Sequence, residues 1–431
     1  MNRPFLFLAI FLALAAGPVF SADTPPNVVL IISDDQHWSD YGFMGHPQVK
    51  TPHLDRLASQ SLLFTRGYVP SSLCCPSLAT IISGQFPHQN FITSNDPPEP
   101  GGKKLKQNDP AFIAGREKFN LHMDQLPTLP RLLAQKGYES FQTGKWWQGS
   151  FSRGGFTQGM TKGSRHGDDG LKIGRETMQP MYDFMKKAGE DKKPFFLWYA
   201  PLMPHTPHTP PERFLAKYRD KAPFENQAKY WAMIEWFDET CGDLMKYLDD
   251  HQLAENTIVV YVTDNGWIQD PVKPNYAPRS KQSQYDGGLR TPILIRWPAK
   301  LPARKTEALA SSVDLAPTIL HAVGITPPKE MTGIDLLDAA KVDARNTIHG
   351  EVFTHNSQNL DVPSASLRWR WMIDGDYKII VPHAANEPEA KVELYRIATD
   401  VNEAKDLAAT QPEVVKALTA KLDAWWKPAG E

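Results

Sequence analysis

Two acidic pairs carry the first chemical signal. Asp34-Asp35 follows the apolar run Asn27 to Ser33 (NVVLIIS), and Asp264-Asn265 follows Thr257 to Thr263 (TIVVYVT). Adjacent carboxylates repel unless a cation or basic group lies between them. Three carboxylates and an amide oxygen make a hard, all-oxygen set suited to Ca²⁺ or Mg²⁺ rather than zinc. Two unrelated turn or N-cap motifs with solvated Asp side chains are the plain alternative. Their recurrence after two β-rich runs favours one shared site, because open α/β sheets gather ligands at the carboxyl ends of their strands. The third element, Ser72 to Gly84 (SLCCPSLATIISG), puts Cys74 at the start of an apolar helix. A helix N-terminus favours developing negative charge, which suits a nucleophile there. The plain alternative is a small core residue.

These groups need a sheet to hold them. Besides the two runs above, Pro194 to Ala200 (PFFLWYA) and Pro292 to Trp297 (PILIRW) read as buried strands alternating with helical patterns, as a parallel α/β sheet requires. Apolar positions recur at helical spacing from about Ala228 to Leu248, and Thr51-Pro52 opens a helix to about Gln60. From about Thr347 the pattern changes. Ser366 to Trp371, Asp376 to Val381 and Val392 to Tyr395 read as short strands, followed by a helix from Pro412 to Trp426. The fold class is therefore α/β: a large, mostly parallel central sheet flanked by helices, with a smaller C-terminal subdomain of antiparallel sheet plus helix. The boundaries read as 1–21 for a leader, 22–345 for the main domain and 346–431 for the subdomain. Lys103 to Lys118 is polar and reads as a surface loop or insertion.

The chain has 431 residues, with 47 Lys plus Arg against 49 Asp plus Glu, a formal net charge of −2. That balance argues against a global attraction to nucleic acid or acidic membranes. Met1 to Ser21 resembles a secretory signal peptide, with Arg3, an apolar stretch from Phe5 to Ala16 and small residues near Ser21. The expectation is an exported protein, secreted or periplasmic, with no membrane association after cleavage. Three cysteines, Cys74, Cys75 and Cys241, are too few for a disulfide framework. Cys75 and Cys241 could pair in an oxidising compartment if Cys74 is used chemically, and the sequence leaves that open.

In order along the chain, these residues resemble the type I sulfatases of the alkaline phosphatase superfamily. The resemblance rests on Asn27 to Asp35, on Thr51 to Ala58, and on Cys74 to Ala79 against a Cys-x-Pro-Ser-Arg-Ala modification motif. It continues through Gly144-Lys145-Trp146-Trp147-Gln148-Gly149, Pro204-His205-Thr206-Pro207, Thr263 to Gly266, and Lys281 to Pro292. Leu394, Tyr395, Asp400 and Glu403 match the pattern of a C-terminal subdomain. The resemblance implies that a maturation enzyme converts Cys74 to formylglycine, whose hydrate attacks the sulfur of a sulfate ester and then expels sulfate. It implies that Asp34, Asp35, Asp264 and Asn265 hold a divalent cation, usually Ca²⁺. Lys145 and Lys281 would contact sulfate oxygens and His205 would protonate the leaving alcohol. His208, in a second Pro-His-Thr-Pro sequence, matches less well and reads equally as a surface or rim histidine. The implied partner is a sulfated small molecule or glycan, the latter suggested by family habit and Trp-rich loops.

Two positions depart from the pattern. Leu78 replaces the Arg that ends the modification motif, and it has neither charge nor donors. Trp147 replaces a His that helps deprotonate the nucleophile, and indole is no base near neutral pH. His166, in Arg165-His166-Gly167-Asp168, is a candidate to return to the site as that base; a solvated loop histidine is its plain alternative. A phosphodiester or phosphonate hydrolase, or an inactive binder of sulfated glycans, are the competing functions. Lys103 to Lys118 and Phe151 to Gly174 are the expected specificity loops.

Overall fold

The computed structural model describes residues 25–428; the leader expected over Met1 to Ser21 lies outside them. Among the described residues, twelve strands form two sheets: β1 (Asn27–Ser33), β2 (Leu62–Tyr68), β3 (Glu139–Gly144), β4 (Gln158–Gly159), β5 (Phe195–Ala200), β6 (Thr257–Thr263), β7 (Arg290–Arg296), β8 (Arg304–Ser311), β9 (Thr347–Phe353), β10 (Leu367–Asp374), β11 (Tyr377–Pro382) and β12 (Glu393–Arg396). The large sheet has the order β4-β3-β5-β1-β6-β7-β2-β8. Only β7 runs against the others. The small sheet is antiparallel, in the order β12-β11-β10-β9. The helices that matter for the site are α1 (Pro52–Ser59), α2 (Cys74–Ser83), α3 (Pro110–Gln125), α4 (Glu225–Asp250) and α5 (Pro412–Trp425).

The continuous apolar runs of the central strands follow from burial on both faces. Val28, Leu30 and Ile32 of β1 face one core layer with α2, while Val29 and Ile31 face the other with α1 and α4. β6 divides its side chains in the same way. Cys75 belongs to the first layer and Cys241 to the second, so the sheet stands between them; all three cysteines are free and buried.

β1, β6 and the helix ends lie where the sequence places them, within a few residues. The polar stretch from Lys103 to Lys118 does not. Its second half is the start of α3, opened by Asp109, whose carboxylate accepts the Ala111 N–H at 2.8 Å. Only Phe112, Phe119, Asn120 and Met123 of this helix are buried. So narrow an apolar stripe is hard to see in a polar sequence. The strands β2, β3 and β8 are also not evident in the sequence, because polar residues interrupt all three runs and glycine the first two.

The N-terminus of α1 is closed by another element. The Thr51 side chain makes no cap; instead Asp238 of α4 accepts the N–H groups of His53 and Leu54, at 3.2 and 2.7 Å. Asp238→Ala should therefore lower the stability of the chain by about 1–2 kcal/mol in chemical denaturation, the usual cost of a lost helix cap. Asp238→Asn keeps an acceptor and should cost less.

Candidate active site

The site is assembled at the carboxyl ends of four adjacent strands. Ser33 of β1 pairs with Thr263 of β6, so Asp34 and Asp264 leave the sheet side by side, with the Asp264 N–H donating to the Ser33 carbonyl at 2.9 Å. Lys145 follows β3, and His205 lies in the loop after β5. The turn out of β3 requires glycine: Gly144 has φ +74°, and a Cβ there would lie 1.9 Å from the Ala200 carbonyl oxygen. That close approach lets the Lys145 N–H bond the same carbonyl at 2.6 Å.

The structure brings together all eight residues singled out from the sequence. Asp34, Asp35 and Asp264 are fully enclosed, with carboxylate oxygens within 4.8 Å of one another. Lys145 Nζ donates to Asp34 Oδ1 at 2.7 Å and approaches Asp264 Oδ2 at 3.4 Å. Lys281 Nζ holds both oxygens of Asp35, at 2.6 and 2.7 Å, and donates to Cys74 Sγ at 3.1 Å. Asn265 Nδ2 donates to Asp35 Oδ1 at 2.6 Å. The Asp264 Oδ1 atom accepts the N–H groups of Asp35 and Asn265. Asp35 takes φ +63°, a left-handed conformation uncommon for a non-glycine residue.

The charges do not balance. Two lysines face three buried carboxylates, and the shortfall shows in the acids. Burial raises Asp34, and it pushes Asp264 up to about 7 with help from its acidic neighbours. Asp35 alone falls, to about 2, because Lys281 and the other cations outweigh its burial. Two oxygens of the expected ligand set, Asp34 Oδ2 and Asn265 Oδ1, are buried without a hydrogen-bond partner. Buried unpartnered acceptors are costly. Orphaned oxygens and a net negative centre are what a hard divalent cation would satisfy, so the residues fit that group.

Cys74 opens α2, and every residue of that helix is buried. Burial pushes its thiol up to about 12 despite the two lysines. An unmodified Cys74 is therefore protonated at neutral pH and a poor nucleophile. Leu78 sits among the apolar side chains of the first core layer and offers the site nothing polar.

His205 faces two acceptors. Its Nδ1 donates to the Thr206 carbonyl at 2.5 Å, and Nε2 lies 3.5 Å from Asp35 Oδ2. Burial, with the two lysine charges, pushes it down to about 3 against the pull of Asp35. His208 is half-buried and borders a cavity with Asn226 and Lys229. It packs against the rings of Tyr230 and Trp267, and its Nε2 is buried without a partner.

His166 also turns inward. Its ring meets Trp147 edge-on at 4.4 Å and lies 5.9 Å from the ring of His205. It takes φ +73°, and its carbonyl accepts the Trp146 N–H at 3.0 Å. Burial, followed by Lys145 and nearby cations, holds it well below the usual histidine range, so it is a neutral imidazole at pH 7. Arg116, Arg165, Asp96 and Gln148 complete this flank, and the sequence did not single them out as site residues. Arg165 pairs with both Asp96 oxygens at 2.9 Å and stands 4.5 Å over Trp147. Gln148 Nε2 donates to Cys75 Sγ at 2.9 Å. No local signal marks these residues, because the bonds from Arg116 to Asn95, Gln148 to Cys75 and Arg165 to Asp96 span 21 to 73 positions of the chain.

With this geometry in view, the family model described as Sulfatase matches residues 26–325. The chain belongs to the sulfatase family. A second model, for the C-terminal part of N-sulphoglucosamine sulphohydrolase, matches residues 278–427. The chain is 29% identical over 379 residues to N-acetylgalactosamine-6-sulfatase of Canis lupus familiaris, covering 77% of this chain and 69% of that protein. It is 29% identical over 381 residues to arylsulfatase A of Homo sapiens, covering 76% and 70%. Among solved structures, a protein in complex with its substrate D-glucosamine-2-N,6-O-disulfate superposes with a TM-score of 0.75 at 19% identity, over 94% of this chain and 100% of that one. The phosphonate monoester hydrolase of Agrobacterium radiobacter superposes with a TM-score of 0.70 at 18% identity, over 93% and 95%. At these identities both share the fold. As a member of this family, the protein is a sulfuric ester hydrolase.

Cation binding is directly measurable. Ca²⁺ at one hundred times its Kd should stabilise the chain by about 2.7 kcal/mol and raise Tm accordingly. Asn265→Ala should shrink that shift. An unchanged melting curve with both Ca²⁺ and Mg²⁺ would remove the metal assignment.

Proposed function

We propose that this chain is an exported sulfatase that hydrolyses a sulfate ester of a carbohydrate. Formylglycine at Cys74 is its nucleophile, and the divalent cation, Ca²⁺ with Mg²⁺ as the alternative, is held by Asp34, Asp35, Asp264 and Asn265. The observation that carries this reading is the Cys74 thiol, 3.1 Å from Lys281 Nζ, beside a carboxylate cluster that is short of positive charge. When present, formylglycine supplies the oxygen nucleophile that a thiol held near 12 cannot provide, and the cation supplies charge for a sulfate oxygen.

This chain's own residues then do the following. Lys145 and Lys281, fixed by their carboxylates, present ammonium protons to the sulfate oxygens and offset the charge that builds there. Their geometry is set before substrate arrives, so little reorganisation is needed. His205 keeps its ring oriented through the Thr206 carbonyl, leaving Nε2 for the leaving oxygen. A bound sulfate ester brings negative charge beside that ring, which favours its protonated form and readies it as the acid. His166 lies close to His205, and its Nε2 meets Arg165 Nη1 at 2.9 Å; the negative charge of a bound sulfate offsets the cations that hold it neutral and so lets it take the proton-accepting task that Trp147 cannot perform. Trp147 serves as the wall against which His166 is held. Cys74 is only 1% exposed, so a maturation enzyme must reach it before the chain folds.

Peptide mass spectrometry across Tyr68 to Gln85, on protein from its natural host or made with a matching maturation enzyme, should find aldehyde in place of thiol at Cys74. Intact thiol would leave a metal-bound anion site without a nucleophile and would sink the proposal. Aryl sulfate should be turned over well ahead of the paired aryl phosphate; the reverse order would favour the phosphonate-hydrolase reading. His205→Ala should lower turnover of a sugar sulfate by about 10²–10⁴-fold. It should matter far less for an aryl sulfate, whose leaving group needs no proton. His166→Ala should slow both substrates; unchanged rates would remove its role as base.

A further inference from the structure

The two segments expected to set specificity meet at one cavity. Phe112, Ile113 and Arg116 of α3 face Gly163, Ser164 and Arg165 across a space of about 320 Å³. Small-molecule sites occupy about 300–1,000 Å³, so this one admits a single sugar ring. It lies beside the catalytic centre, because two of its lining residues are chain neighbours of residues there. Arg165 borders the cavity, and the next residue, His166, lies 5.9 Å from His205. Gly149 borders it too, directly after Gln148, which holds the Cys75 thiol.

The chemistry of the lining is specific. Arg116 and Arg165 both stand over the Trp147 ring, at 5.3 and 4.5 Å. Asp96 neutralises Arg165 through two hydrogen bonds. Arg116 forms no ion pair among the described residues. One of its five N–H donors goes to the Asn95 carbonyl at 2.9 Å, and its charge lies close enough to the Cys75 thiol to lower that thiol's pKa. The rest of the guanidinium has no anion. The acid that borders the cavity, Glu117, is bound to Arg153 at 2.6 Å. A half-buried guanidinium near a second one, without a counter-charge, favours an anionic ligand. Asn120 also borders the space, is 8% exposed, and has a buried Oδ1 with no hydrogen-bond partner, an acceptor for a hydroxyl. An anion donor site beside a hydroxyl acceptor describes an acidic sugar.

We propose that this cavity is a second subsite, which binds an anionic sugar ring adjoining the one whose sulfate ester is cut, with Arg116 as its anion-binding residue. The inference rests on the carbohydrate sulfatase reading above and narrows its substrate to a glycan with a negative charge on the neighbouring ring. Carboxylate and sulfate present the same chemistry to a guanidinium, so the substituent is distinguished by experiment.

The test measures binding by calorimetry on the full-length, Ca²⁺-loaded chain carrying Cys74→Ala, which holds substrate without turnover. Three sulfated disaccharides are compared, whose neighbouring ring is a neutral hexose, a hexuronate or a second sulfated hexose. At least one anionic ring should bind about ten-fold or more tightly than the neutral one, the size of a charge-assisted hydrogen bond. Whichever does so identifies the substituent. Adding Arg116→Gln should erase that preference, and Arg116→Lys should restore part of it. Because Arg116 is half-buried, Ile113→Glu provides a second variant: Ile113 is 55% exposed, and a negative charge there should repel the anionic ring without disturbing the core. Equal affinity for all three disaccharides, or a preference that survives both Arg116→Gln and Ile113→Glu, would overturn the proposal. Turnover of 4-nitrophenyl sulfate by the mature wild-type chain, measured separately, decides the sulfatase reading, so the two failures are distinguishable.

Discussion

Three carboxylates buried at the ends of β1 and β6 are the constraint around which the rest of the molecule is organised. Uncompensated charges at that depth would cost several kcal/mol each. Lys145 and Lys281 are therefore required to reach Asp34 and Asp35, and each arrives on a loop that must be fixed in turn. The unpaired remainder, with Asp34 Oδ2 and Asn265 Oδ1 unpartnered, leaves the centre net negative, which is what the proposed cation would offset.

The need to fix Lys281 explains why the small sheet is attached where it is. The Gln282 N–H bonds the Ser72 carbonyl at 2.9 Å, and the Ser72 hydroxyl donates to the Ser283 carbonyl at 2.7 Å, tying this loop to the segment before Cys74. A few residues on, Asp286 meets Lys378 of β11 at 2.8 Å, and Lys378 meets Glu403 at 2.6 Å. Tyr68 donates to the other oxygen of Asp286 at 2.9 Å. Lys378 is fully buried, so this network holds only when every partner is in place. The C-terminal subdomain thus acts as the clamp that sets the position of Lys281, and through it Asp35 and Cys74.

The departures at positions 78 and 147 read differently once their surroundings are known. Leu78 is part of the apolar layer beneath α2, so an arginine there would need a route out of the core. Positive charge reaches this flank from elsewhere, through Arg116 of α3 and Arg165. Trp147 gives the rings of His166 and both guanidiniums a common surface. The histidine absent from position 147 has a neighbour 19 positions later in the chain that occupies the same corner of the site. The changes form a consistent local arrangement, with Asp34, Asp35, Asp264, Asn265 and both lysines retained.

The amino-acid sequence by itself determined the central strands, because burial on both faces forces unbroken apolar runs such as NVVLIIS and TIVVYVT. It also determined the acidic pairs that end them, since ligands gather at strand ends, and the Cys74 helix start. These are local signals, carried by neighbours in the chain. Resemblance implied that Lys145, Lys281 and His205 share a site with those acids, but only the tertiary structure supplied the contacts, as loops from different strands must meet in space. It alone turned His166 inward and set Cys75 and Cys241 on opposite sides of the sheet. It also made half of a polar stretch into α3, whose few buried residues gain their stability from packing against distant segments. Periodicity records what one element buries, whereas a site is made by side chains from several elements, and their meeting is fixed by the order of strands in the sheet.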